Sequence, residues 1–270
     1  MDISKLSIDF HMTFTTIDSS NADLIEIYRQ LRDNAFSTDN SFIADSPKVI
    51  NILLKTPIEV KSILATQEYY DEFKDLIEHK EIPQLFVADK KFLETIVGHK
   101  LHHNAMMHAV RPEQTPLDKL GDHIIMLDEI SSTENIGSIA RSAAALGVDS
   151  YVLPKQGPHP YSRRALRVSM GHVSMLKTHL YDDISTTIKA LQSRGYTIFA
   201  AEVSKDSIVL AEVDVPHKWV LLMGHEGKGI STEVLDLCDK VVRIEMVTGV
   251  KSFNVGVAAS IMMYQFINAK

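Results

Sequence analysis

The sequence predicts an α/β fold: a parallel sheet with helices on both faces fills the C-terminal part, and a small α/β domain precedes it. Three observations carry this. From residue 123 onward, short apolar runs alternate with stretches of helical length and periodicity. Several runs, WVLLM (219–223) and YVL (151–153) among them, are apolar at every position and stop at Gly or Pro. A strand that is apolar on both sides is buried on both sides, which in an alternating β/α order means a parallel sheet between helix layers. At 270 residues the chain is also longer than one ordinary core requires, so two domains are expected.

Residues 1–40 read as an N-terminal extension with one helix. ADLIEIYRQLRD (22–33) has apolar residues at 24, 25, 27, 28 and 31, the spacing of one helix face. DNAFSTDN then breaks the pattern. Residues 41–110 read as the small α/β domain. Ser46-Pro47 opens a helix through VINILL, with Pro where its missing amide does no harm. EVKSILAT (59–66) is a strand, QEYYDEFKDLIEH (67–79) a helix, QLFVAD (84–89) a strand, KKFLETIVG (90–98) a helix, and MMHAV (106–110) a closing strand. RPEQTPLDKLGD carries two Pro, several charges and no apolar face, so residues 111–121 read as a linker. In the domain that follows, 122–270, strands are predicted at 123–127, 149–153, 196–201, 219–223 and 240–244. Its helices are predicted at 136–146, 160–169, 183–194, 231–237 and 252–268.

Composition sets the outer bounds. Apolar residues make up 45% and charged residues 23%, as in a soluble globule with a core. The single Cys238 excludes an internal disulfide, and no Cys/His spacing suits zinc, so no metal is expected. No apolar run is long enough to span a bilayer, and MDISKLSIDF lacks the basic-then-apolar order of a signal peptide, so the expected location is the cytoplasm. The net charge of −7 weighs against nucleic acid, because phosphate binding needs Lys and Arg. Locally the balance reverses: from Ser150 to Tyr181 there is no Asp or Glu, while Lys155, Arg163, Arg164, Arg167 and Lys177 fall inside. That stretch reads as an anion-binding surface, against the blander reading of a solvated face. Tyr161 within it is a candidate stacking platform for a base, although a lone Tyr is more often packing.

Three predicted strands end in loops richer than a turn requires. HIIMLD leads into ENIGSIAR (134–141), WVLLM into GHEGKGIS (224–231), and VVRIEM into VTGVKSFNVGVAA (247–259). Singly, each has a plain explanation. Asn135 can cap the next helix, Gly137 can be a tolerated small residue, Arg141 a surface cation, and Ser252 the cap of the last helix. GHEGKG has neither the spacing nor the Lys-Ser/Thr ending of a Walker loop, and GxGxxG is missing after the first strand. Together, three polar glycine loops at one edge of a parallel sheet point to a site, because ligands of such sheets bind at the carboxyl ends of the strands.

In this order NIGSIAR, MGHEGKGIS and IEMVTGVKSFNVGVAAS resemble the three motifs of the SpoU (TrmH-like) RNA ribose methyltransferases of the SPOUT superfamily. The matching positions are Asn135, Gly137 and Arg141; Gly224, Glu226 and Gly229; and Ser252, Phe253 and Asn254. The resemblance is strong over 121–270 and includes VSMGHV (168–173). It is weaker over 41–110, which resembles the RNA substrate-binding domain often found before the catalytic one. Glu245, Phe253, Gly256 and His225 depart from the usual Pro, Leu, Ser and Asn.

The resemblance implies a trefoil knot, a homodimer formed through the C-terminal domain, and S-adenosylmethionine as cofactor. It also implies methyl transfer to a ribose 2′-hydroxyl, in ribosomal RNA ahead of transfer RNA. Asn135, Arg141, Glu226, Ser252 and Asn254 are then the catalytic set. Leu222, Gly224, Ile244, Met246 and Phe253 hold the cofactor, and Lys155, Arg163, Arg164 and Arg167 contact RNA. Arg141 is either a proton acceptor or, since guanidinium keeps its proton, a positioning and electrostatic group. Two alternatives stay open: a non-catalytic RNA-binding relative, and a SPOUT enzyme that methylates a base.

Overall fold

The computed structural model describes residues 12–29, 39–97, 104–204 and 206–269. The chain divides into two compact units, Met1–Pro112 and Glu113–Lys270.

In the first unit the elements are β1 (Phe14–Thr16), β2 (Ser41–Ala44), α1 (Pro47–Leu54), β3 (Val60–Ala65), α2 (Gln67–Glu72), α3 (Lys74–Glu78), β4 (Gln84–Val87), α4 (Lys90–Val97) and β5 (Ala105–Val110). The sheet order is β1-β4-β3-β5-β2, parallel on the β1–β4–β3 side and antiparallel on the β3–β5–β2 side. The expected helix over 22–33 is a kinked 3-10 segment over Ala22–Arg29, non-helical at Ile25, and residues 30–33 lie outside the described ones. The single helix expected over 67–79 is split at Phe73 (φ −113°, ψ 24°), whose ring tilts against Tyr69 at 5.1 Å. β1 and β2 are additions to the expected set. β2 is buried at every position, but SFIA is only four residues long and holds just two large apolar residues, so no apolar run marks it.

The second unit holds β6 (His123–Leu127), α5 (Thr133–Leu146), β7 (Ser150–Pro154), α6 (Arg163–Val168), β8 (Lys177–Tyr181), α7 (Ile184–Gln192), β9 (Thr197–Ala201), β10 (Ile208–Val209), β11 (Trp219–Met223), α8 (Thr232–Leu235), β12 (Lys240–Arg243) and α9 (Val255–Asn268). Its seven strands run in the order β10-β12-β9-β11-β6-β7-β8, and every pairing is parallel. Alternate strand residues serve two cores, as continuous apolar runs require. Ile124, Met126, Ile198, Val220 and Leu222 pack with Ile188 and Leu191 of α7. Through the other face Phe199 and Trp219 meet Phe266 of α9, with centroids at 4.9 and 5.2 Å.

Residues 113–121 are not a free linker. Leu117 and Leu120 pack into this unit's core, the Thr115 amide donates to the Thr178 carbonyl (2.7 Å), and the Leu180 amide donates to Gln114 Oε1 (3.0 Å). Two leucines three positions apart in a 3-10 turn make an apolar contact that the composition of the segment hides. Among the described residues, no helix is long and apolar enough to cross a membrane, and no three His, Cys, Asp or Glu side chains converge as a metal site would need.

Candidate active site

Parallel pairing aligns the strand ends. Met223 sits opposite both Leu127 and Ala201, and Val242 opposite Ala201. The loops after β6, β9, β11 and β12 therefore leave one edge of the sheet, where ligands of such sheets bind.

The loop after β6 feeds α5. Its N-cap is Ser132, whose Oγ accepts from the Asn135 amide at 3.4 Å. Asn135 is thus not the cap, and its side chain is free for other work. Asn135 Nδ2 donates to Glu226 Oε1 at 2.8 Å, and Asn135 Oδ1 accepts from Asn254 Nδ2 at 3.1 Å. One side chain therefore joins the loops after β6, β11 and β12.

Glu226 braces the same helix end. Its carboxylate also accepts from the amides of Ser131 (3.3 Å) and Ser132 (3.2 Å) and from Ser131 Oγ (3.2 Å). Partial burial works against the ionised form, but donation from Asn135 and these amides prevails and holds the carboxyl down at about 2. An anion beside the first turn of a helix is also favoured by the exposed N–H groups there.

Asn254, not Ser252, is the N-cap of α9. Its Oδ1 accepts from the amides of Gly256 (2.9 Å) and Val257 (3.2 Å), and the helix begins at Val255 rather than 252. Both ends of the Asn254 amide are in use, one closing a helix and the other holding Asn135. In the loop after β11, His225 does the work of the more usual Asn: its Nδ1 accepts from the amides of Gly227 (2.9 Å) and Lys228 (3.3 Å), as an Asx-turn oxygen would.

A cleft of about 770 Å³ opens between the loops after β9, β11 and β12. Gly224, Ile244, Met246 and Phe253 line it, as do Glu226, Ser252 and Asn254. Leu222 does not: its side chain is fully buried in the sheet core, and the strand-end residue that reaches the cleft is Met223. A strand's alternation turns one neighbour inward when the next faces the site. The sequence reading missed Glu202, which lines the cleft from the end of β9. The lining mixes apolar groups (Met223, Ile230, Leu235, Met262) with the carboxylates of Glu202 and Glu226. This donor set suits a nucleoside joined to an amino acid: apolar walls take a base, and carboxylates take hydroxyl and ammonium donors.

Arg141 stands apart from the cleft lining. It is exposed on α5 and has no hydrogen-bond or ion-pair partner among the described residues. The basic stretch is less free than its composition suggests. Lys155 pairs with Asp182 (3.3 Å), Lys177 with Asp149 (2.8 Å) and Arg164 with Glu134. All three acids lie just outside the run or on the neighbouring helix, so a stretch without acids in sequence is not a surface without acids. Arg163, Arg164 and Arg167 share α6, with Arg164 and Arg167 exposed. Tyr161 is only 3% exposed, which removes it as a stacking platform.

Residues 122–264, more than half of the chain, match the SpoU rRNA methylase family model. A Staphylococcus saprophyticus protein named for the TrmH family of tRNA/rRNA methyltransferases is 33% identical over 153 residues, 57% of this chain and 61% of that protein. The chain thus covers less than two thirds of that relative's length. An uncharacterised tRNA/rRNA methyltransferase of Mycobacterium bovis is 29% identical over 229 residues, 83% of this chain and 79% of its own. In fold, the chain is similar to a Sinorhizobium meliloti rRNA methyltransferase solved with AdoMet bound. That match has a TM-score of 0.81 at 20% identity and covers 94% of this chain and 97% of the other. On the family match and the junction of its three motif loops at one sheet edge, the chain belongs to the SpoU rRNA methylase family.

Proposed function

We propose that the protein transfers a methyl group from S-adenosylmethionine to a ribose 2′-hydroxyl of RNA, ribosomal RNA ahead of transfer RNA, as a cytoplasmic homodimer. The observation that carries the reading is the Asn135 junction, which ties the three motif loops together beside the cleft. The AdoMet-bound Sinorhizobium meliloti relative and the mixed lining of the cleft support the choice of cofactor. A knotted threading of the last strands and α9 belongs to the same reading.

The bound cofactor would supply an electrophilic methyl group. The rest falls to the chain. A ribose hydroxyl is protonated at neutral pH and needs help as its oxygen attacks. Glu226 is a poor base for this: its carboxyl is held down at about 2, and both oxygens already accept hydrogen bonds. Guanidinium seldom gives up a proton. Arg141 therefore acts as a donor: its planar fork steadies the developing negative charge on the 2′-oxygen and holds the adjacent phosphate while the hydroxyl proton passes to water. Arg141 has no partner among the described residues, which supports this, since the side chain is available to RNA. Glu226 and Asn135 act one step back by fixing the start of α5, which carries Arg141. Ser252 and Asn254 line the cleft and in this reading meet the incoming ribose.

The homodimer has its own support. On α9, Val257 (48% exposed), Ile261 (37%) and Tyr264 (61%) recur at helical spacing and form an uncovered apolar stripe. The RNA target rests on the first unit, since an added domain suits a structured RNA.

The test is to map 2′-O-methyl groups in ribosomal and transfer RNA from cells with the gene, without it, and with Arg141→Lys. The substitution keeps the charge and loses the fork. A site lost on deletion, whose methylation rate falls ~10²-fold with Arg141→Lys, is expected, the size of effect seen for one preorganised donor. A site fully methylated by the Lys variant would overturn the role of Arg141. No site lost on deletion would leave the non-catalytic RNA-binding reading.

A further inference from the structure

The residue the motifs do not contain is Glu202. It follows β9 directly, lies half-buried, and lines the cleft. Its two oxygens do different things. Oε1 accepts from the amide of Val203 at 3.0 Å, which folds the side chain back on its own loop. Oε2 accepts from the amide of Ile230 at 3.0 Å, across to the loop after β11. Next to that amide is Gly229, whose φ of +69° is in the left-handed region. A Cβ built on Gly229 would lie 2.2 Å from Glu202 Oε2. The carboxylate thus occupies the space that any side chain at 229 would take. The backbone angle favours glycine there, and a side chain at 229 would have to displace the carboxylate.

We propose that Glu202 is a positioning residue for the cofactor: its carboxylate latches the 224–231 loop to the end of β9 and so sets the width of the cleft between them. The inference rests on the reading of the cleft as the S-adenosylmethionine site. Without the latch, the Ile230 amide loses its partner, and among the described residues no other hydrogen bond joins the two loops. Affinity should then fall through the ordering that binding has to supply.

The test compares wild type, Glu202→Ala, Glu202→Gln, Gly229→Ala and the Glu202→Ala/Gly229→Ala double variant. Calorimetry with S-adenosylhomocysteine is run at a temperature well below every melting point. Glu202→Ala is expected to weaken binding about 10-fold, the effect of one lost charge-assisted hydrogen bond of ~1.5 kcal/mol. Glu202→Gln keeps a carbonyl acceptor for Ile230 and is expected to recover most of the loss. Gly229→Ala should also weaken binding, because its methyl group displaces the carboxylate. In the Glu202→Ala background the same change should cost clearly less, since the contact it breaks is already gone.

Wild-type protein that fails to bind S-adenosylhomocysteine would refute the reading of the cleft. Wild-type binding matched by Glu202→Ala, or strictly additive losses in the double variant, would refute the latch alone. A purely structural role would lower melting temperature and leave affinity unmoved, and that outcome also overturns the proposal.

Discussion

Glu226 shows how far one side chain departs from its motif label. As a letter in a pattern it is a catalytic candidate; in the fold it is a fixed anion at the start of α5, serving Ser131, Ser132 and Asn135. The consequence for pH has a definite sign. Its folded carboxyl is held at about 2, below the ordinary value of 4.5. Its contribution to stability is therefore fully present above pH 4.5 and is lost as pH falls toward 2. Thermal melts of wild type and Glu226→Gln should differ most near neutrality, and the difference should shrink steadily between about pH 4.5 and 2. A difference that stays constant over that range would mean that the carboxylate is not the acceptor described. At this scale Asn135, Glu226, Ser252 and Asn254 are legible as candidates, because each belongs to a glycine-bearing stretch that follows an apolar strand, and the fold gathers them beside one cleft. Glu202 is not legible, because FAAEVSK shows only a lone acid at a strand end, and the amide it holds belongs to Ile230 in a later loop. Leu222 was misplaced because apolar letters do not reveal which face of a strand they occupy.

At the scale of elements, legibility followed burial. HIIML and WVLLM lie inside the sheet and are continuous apolar runs, and β6 and β11 have the bounds expected for them. KTHLY was not recognised as a strand. β8 lies at the edge of the sheet, with Lys177 exposed and Thr178, His179 and Leu180 half-buried, so no apolar run marks it. Helix starts shifted with their caps: α5 begins at Thr133, three residues early, because Ser132 caps it. Within α5, Gly137 is more than a tolerated small residue. A Cβ there would meet the Ala165 carbonyl oxygen at 2.6 Å and Val168 Cβ at 2.9 Å, so α5 and α6 approach through it. Two effects oppose each other in Gly137→Ala. Helix propensity alone favours Ala by ~1 kcal/mol, whereas forcing a methyl group against a backbone oxygen costs about 1–3 kcal/mol. Because backbone cannot swing aside, the clash should outweigh propensity, leaving a net loss of up to ~2 kcal/mol and a fall in melting temperature of up to roughly 8 °C at ~2–4 °C per kcal/mol. A rise, measured by calorimetry, would show that propensity decides and that the helices can part.

At the scale of the whole molecule, the uncovered stripe on α9 carries the prediction. Ile261 sits between Val257 and Tyr264 on that face. Placing a carboxylate there should not disturb the fold, since α9 buries the opposite face through Ala259, Met262, Met263 and Phe266. A charge desolvated in a self-association surface without a partner is costly, so for the proposed homodimer Ile261→Asp should shift sedimentation from dimer toward monomer with the secondary structure, read by circular dichroism, unchanged. A variant that sediments as wild type would move the interface elsewhere. The strand order carries a different consequence, one of timing. β11 lies between β9 and β6, with Trp219 opposite His123 and Thr197, yet it is made after both. A ribosome delivers the chain from its N-terminus. β6, β7 and β8 can assemble as they emerge, but the open side of β6 then waits, through the synthesis of α7, β9 and β10, for a strand not yet translated. Over that interval HIIML presents an unpaired apolar edge of the kind that recruits foreign strands. The newborn chain is thus open to misassembly, and in need of shelter, before the second and third motif loops exist.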